Sequence, residues 1–181
     1  MSFQPIENYG VIGNMRSIAL VGMNGSIDFL CYPEFDFPTI FAALLDEDQG
    51  GRFQIEPRLT NARIRQQYLP DTNILLTRFL AEEGVAGLTD YIPIEQDAAQ
   101  PNQIIRTISV IRGNVHFEMR CQPRFKLGSL RPSFAPGAET FPVGAPSTHG
   151  SVAGMKFETT SLSISGMTGY SRLCSQKEHK K

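Results

Sequence analysis

"IALVGMNGSIDFLC", Ile18 to Cys31, decides the fold class. Two apolar runs flank Met23-Asn24-Gly25-Ser26. Asn-Gly between such runs is the strongest short-range hairpin signal, because both central residues of a type I′ turn take positive φ. The stretch predicts an antiparallel hairpin with Asn24 and Gly25 both at positive φ. Pro33 ends the second strand, since it has no N–H to give a ladder.

Working outward, Thr39 to Asp46 reads as a short helix. Pro38 suits a helix start, and Ile40, Phe41, Leu44 and Leu45 share a face at helical spacing. The run Asp46 to Gly51 stops it. Strand signals then recur at Arg52–Glu56, Ala62–Tyr68 and Asn73–Leu80. In the last of these, Leu75, Thr77 and Phe79 alternate with Ile74, Leu76 and Arg78. Val85 to Ile92 continues the series, with Asp90 and Tyr91 inside it. Ile104–Arg112 and Asn114–Arg124 read as a second hairpin turned at Gly113-Asn114, and Lys156–Ile164 as one more strand. Short strands separated by turns indicate an all-β, antiparallel β-sandwich. The expected organisation is a sandwich domain over 1–166, interrupted by a Pro- and Gly-rich loop over 130–154, and a poorly structured tail over 167–181.

With 181 residues, the chain is long enough to bury roughly 70% of its unfolded surface. Its 17 basic and 18 acidic residues are interspersed, which points away from a nucleic-acid footprint or a polybasic membrane patch. Cys31, Cys121 and Cys174 lack the spacing of a disulfide framework or a zinc site. Cys31 and Cys121 lie in apolar runs, as small buried hydrophobes do. The first ten residues lack the basic start and apolar middle of a signal peptide, so a reducing cytoplasm is the expected location.

No nucleotide-binding glycine loop, metalloprotease pair of histidines or serine-nucleophile motif occurs, and neither cofactor nor metal is expected. Carboxylate chemistry remains. Asp28, Glu34 and Asp36 cluster beside Phe29, Tyr32, Phe35 and Phe37. Glycoside hydrolysis uses two carboxyl groups roughly 5–9.5 Å apart, and aromatic rings commonly accompany sugars. The structural alternative has Asp28 bonding turn amides and the rings packed down. It also has Phe35 inward and the Asp36 carboxylate capping the helix that follows Pro38. Arg16 and Arg124 each offer a guanidinium that forks onto one of these acids.

The ordered series Ile12-Gly13, Arg16, Ala19-Leu20-Val21, Gly25-Ser26-Ile27-Asp28, Leu30-Cys31, Pro33, Phe35-Asp36, Pro38, Phe41-Ala42, Leu44-Leu45-Asp46 and Gly50-Gly51 resembles the N-terminal segment of bacterial glycoside hydrolase family 15 proteins, the glucoamylase and trehalase-like group. Tyr68–Phe79, Leu88–Ile94 and Gln122–Gly128 resemble later parts of the same segment. Asn24 stands where that pattern has Asp, Phe29 where it has Trp, and Phe37 where it has Ser. The resemblance implies a galactose mutarotase-like supersandwich, here incomplete. It also implies hydrolytic glutamates of an inverting α-glucosidase type on a separate (α/α)6 barrel, with no counterpart in this chain. The implied role is a non-catalytic accessory domain packing on that barrel. Arg16, Asp28, Tyr32, Glu34, Asp36 and Phe37 would then lie in a loop near the sugar or the domain interface. An autonomous carbohydrate-binding module stacking α-glucosidic oligosaccharide on Tyr32, Phe35 and Phe37 is the alternative, and a small glycosidase using the three acids a third.

Overall fold

The computed structural model of the chain describes residues 4–94, 103–124 and the backbone of 162–165. After a single 3-10 turn, Ile6–Asn8, come β1 (Tyr9–Gly13), β2 (Ile18–Gly22), β3 (Ser26–Cys31), β4 (Thr39–Phe41) and β5 (Phe53–Pro57). They are followed by β6 (Arg63–Tyr68), β7 (Leu75–Leu80), β8 (Gly84–Tyr91), β9 (Ile105–Cys121) and β10 (Leu162–Ser165). The fold is all-β and antiparallel, as the sequence predicts. One path runs β1-β2-β3-β5-β9-β8-β7-β6, with β4 on β3 and β10 on β9. The earlier part of the strand expected over Lys156–Ile164, the 130–154 loop and the 167–181 tail lie outside the described residues.

The path folds back on itself and buries its core between the two halves. Ile12, Val21, Ile27 and Ile55 meet Phe79, Leu88, Ile108 and Phe117 in one cluster. β7 follows the predicted alternation, with Leu75, Thr77 and Phe79 buried. The outer strands β1 and β6 are joined by side chains. The Tyr68 hydroxyl accepts from Val11 N at 2.7 Å and donates to Val11 O at 2.9 Å. The Gln66 amide donates to Val21 O. Such bonds occupy edge groups that would otherwise be free to pair with another strand.

Three local expectations are corrected. The first hairpin turns through three residues. Gly25 N donates to Gly22 O at 2.9 Å, and in this turn Gly25, at φ 78°, has positive φ whereas Asn24 does not. This is a type I turn closed by a left-handed glycine, with the register slipping between Leu20 and Val21. Asn24 Oδ1 accepts from Ser26 N and Ser26 Oγ, which holds Asn24 outside the left-handed region. Second, Thr39–Asp46 is not a helix. Its amides pair with distant chain: Ala42 N with Gly50 O, Ala43 N with Gly51 O and Leu44 N with Asp28 O. Ile40 and Phe41 are buried while Leu45 is 60% exposed, which no single helical face would produce. Third, Gly113 does not turn a hairpin. β9 runs through it as one strand, leaving β8 to pair with β5. Gly113 takes φ 78°, and a Cβ there would overlap the Glu83 carbonyl. Just before it the register with β8 shifts, leaving Ile111 as an extra residue, and the buried positions change phase, from Arg106, Ile108 and Val110 to Val115 and Phe117. An extra residue at a kink is how a strand changes sheets and still keeps its apolar side inward.

One polar pair sits inside the core. Asp90 on β8 lies opposite Arg106 on β9, and both are fully buried. Arg106 Nε reaches Asp90 Oδ1 at 2.8 Å and Nη2 reaches Oδ2 at 3.2 Å. The same guanidinium donates to Phe53 O at 2.9 Å and Gly25 O at 2.7 Å, and its carbon lies 4.7 Å from the Phe53 ring centroid. Removing one partner of a buried ion pair leaves an uncompensated charge. Arg106→Met is therefore expected to lower the unfolding free energy by about 3–5 kcal/mol in urea titration. A loss below 1 kcal/mol would show that the pair is dispensable.

Candidate functional site

Antiparallel pairing brings several connections to one end of the sandwich. The β1–β2 connection, the chain leaving β3 and the β6–β7 connection meet there. Asn73 Nδ2 donates to Gly13 O, and Ser17 Oγ donates to Cys31 O. Asn14 Oδ1 accepts from Arg16 N and Ser17 N, shaping the first of these turns. The residues after β8 join the same end, where Tyr68–Ile74 and Tyr91–Ile94 line an open groove of about 990 Å³.

Of the residues singled out in the sequence, Arg16, Glu34, Asp36 and Phe37 are exposed at this end, and Tyr32 is buried there. The Tyr32–Pro33 peptide is cis. Phe35, expected inward, is 55% exposed, and Phe37 is 40% exposed. Tyr32 is only 8% exposed, so its ring is no stacking platform. Phe41 is in the core. With no helix after Pro38, Asp36 has no helix start to cap.

Asp28 is elsewhere in character. It points away from the core side of β3 and is covered by the chain between β4 and β5. The expected turn amides are not its partners. Its Oδ2 accepts from the Tyr9 hydroxyl at 2.8 Å, and Oδ1 lies 3.5 Å from Arg52 Nε without a hydrogen bond. Arg52 in turn faces Glu47 at 3.9 Å. Burial, then the Asp28 hydrogen bond and charge, push the Tyr9 hydroxyl far above its usual value of 10.0. Arg52, not Arg16 or Arg124, is thus the guanidinium facing Asp28. Burial also raises the Cys31 thiol, which is free and half-buried; Cys121 is half-buried too.

Of the three candidate acids, Asp28 is set apart from Glu34 and Asp36 by its burial. A buried carboxylate tied to a tyrosine and an arginine holds the covering loop, and the two exposed acids sit on an open loop. Among the described residues no His, Cys, Asp and Glu group is arranged to hold a metal, and no helix is long and apolar enough to cross a membrane. Tyr9 and Arg52 escaped sequence reading because nothing in their spacing points to Asp28. Asp90 and Arg106 had a legible signal, a charge on the buried phase of each of two strands.

The strands define an antiparallel β-sandwich with several of its connections meeting at one end. Residues 1–161 match the family described as trehalase-like, N-terminal, and the chain belongs to that family. It is 32% identical over 133 residues to a trehalase of Thermoplasma volcanium, covering 72% of this chain and 21% of that protein. It is 38% identical over 123 residues to trehalase 1 of Sulfolobus acidocaldarius, covering 68% and 20%. A trehalase of Mycolicibacterium smegmatis is 28% identical over 141 residues, covering 68% and 21%. The chain spans about a fifth of the length of these curated relatives. No solved structure matches it.

Tyr9→Phe deletes the one hydrogen bond to the buried Asp28 carboxylate and is expected to cost about 1–3 kcal/mol at neutral pH. Above pH 10 the unfolded tyrosine ionises while the folded one must stay protonated, so this contribution to stability falls as pH rises. Thermal melts of Tyr9→Phe against the parent should show the gap narrowing through that range. A gap independent of pH would refute the coupling.

Proposed function

We propose that the chain is a non-catalytic accessory domain of a glycoside hydrolase family 15 protein of the glucoamylase and trehalase-like group. In this reading it packs on a catalytic (α/α)6 barrel and shapes the entrance to its site. The carrying observation is the match to a trehalase-like N-terminal family combined with coverage of only about a fifth of each relative. The arrangement of acids supports it. Two carboxyl groups must flank a glycosidic bond, one as acid and one as base or nucleophile. Asp28 is buried beneath Tyr9, while Glu34 and Asp36 face solvent. The same reading puts the domain in a reducing cytoplasm, in keeping with the free thiol of Cys31.

A second reading has one observation in its favour. The exposed rings of Phe35 and Phe37 offer stacking faces to an α-glucosidic oligosaccharide, although Tyr32 is withdrawn from that role. The two readings separate in simple assays. The isolated chain is expected to leave trehalose, maltose and soluble starch intact and to bind maltotriose no tighter in calorimetry than Phe35→Ser does. Turnover abolished by Asp36→Ala would establish a small glycosidase instead. Saturable maltotriose binding lost in Phe35→Ser would establish the binding module.

A further inference from the structure

We propose that the loop-bearing end of the sandwich, rather than its sheet faces or its opposite end, is the surface that docks onto the rest of a trehalase-like polypeptide. The inference rests on the accessory-domain reading and names the face that reading leaves open. It takes in more than the Tyr32–Pro38 loop. Met15, 89% exposed, comes from the β1–β2 connection. Phe35 and Phe37 come from the chain after β3, Tyr68 from the end of β6, and Ile94, 67% exposed, from the chain after β8. Exposed large apolar side chains from separate connections mark a missing partner when they gather in one place. Of the other exposed large apolar residues, Ile6 and Ile111 lie toward the opposite end, Val11 lies within β1 and Leu45 in the chain between β4 and β5.

The groove beside these residues is preformed. Tyr68 is fixed by both bonds of its hydroxyl to Val11, so its ring presents a constant face. Pro70 and Pro93 line the groove and limit its backbone. A surface ordered before association loses less conformational freedom on docking.

Charge identifies the partner's chemistry. Glu34, Asp36 and Asp71 are exposed around the apolar residues, three acids against the one exposed cation, Arg16, on the connections named here. None of the three makes a side-chain hydrogen bond or ion pair among the described residues. A partner face with an apolar centre rimmed by lysine or arginine answers that pattern, since complementary charge sets register and rejects wrong partners. About four-fifths of each of these relatives lies outside the matched region, and docking in cis spares the entropy of bringing two molecules together.

Hydrogen exchange tests the face directly. The chain is measured alone and as a chimera replacing the matched region of the Thermoplasma volcanium trehalase. Amides of 14–17, 33–38, 69–74 and 92–94 are expected to exchange at least tenfold more slowly in the chimera, and those of 23–25 and 81–83 at unchanged rates. The triple reversal Glu34→Lys, Asp36→Lys and Asp71→Lys should return the loops toward their rates in the free chain. Protection confined to 23–25 and 81–83 overturns the face and leaves the accessory reading standing. A folded chimera with no added protection anywhere overturns both. Reversal without effect overturns the charged rim. Should the chimera not fold, maleimide labelling of the intact trehalase reads the same face. Cysteines placed at its positions aligned with Phe37 and Ile94 should label slowly, and one aligned with Ile111 fast. Equal rates reject the proposal.

Discussion

The Arg106 guanidinium is the constraint on which the rest of this sandwich depends. A cation with no exposure to water must have its donors met inside the protein. Here they are met from three places, Asp90 across the β8–β9 ladder, the Phe53 carbonyl at the start of β5 and the Gly25 carbonyl in the first hairpin, while the Phe53 ring lies against the guanidinium face. Those places belong to both halves of the sheet. A one-residue slip of β8 against β9 would point Asp90 outward and strand the cation, so the pair opposes slipped registers more strongly than apolar neighbours would. Its net stabilisation relative to an apolar pair is small, because both ions lose their hydration. What it adds is the penalty carried by every alternative.

Two left-handed glycines make that arrangement reachable. Gly25 lets its carbonyl approach the guanidinium, and a Cβ there would overlap the Ile55 carbonyl. Gly113 continues one long strand that serves both halves, and the extra residue Ile111 just before it reverses which residues face inward. Closure of the remaining seam falls to Tyr68 and Gln66. The consequence for function is positional. Once the strands are locked antiparallel, the connections carrying Met15, Phe37 and Ile94 have no other end to occupy, while Asp28 is committed to the sheet's covered outer surface.

The sequence by itself determined the all-β class, the first hairpin, the alternation of β7 and the family resemblance. These depend on local chemistry: period-two patterning, turn residues, and an ordered series of short motifs. It also read Tyr32 to Pro38 as a connection rather than a strand, because Pro33 has no N–H to give a ladder.

Only tertiary structure decided the rest. Thr39–Asp46 has helical spacing but gives its amides to Gly50, Gly51 and Asp28, partners brought near by folding. Gly113-Asn114 looks like a turn, yet pairing on both sides with β8 and then β5 outweighs the local preference. Phe35 faces outward while Tyr32, Ile40 and Phe41 on either side of it in sequence are buried. Asp28 finds Tyr9 and Arg52, 19 and 24 residues away along the chain, a pairing that spacing cannot encode. Local sequence sets what each segment prefers. Which preference survives depends on the hydrogen-bond partners and the space that the other strands supply.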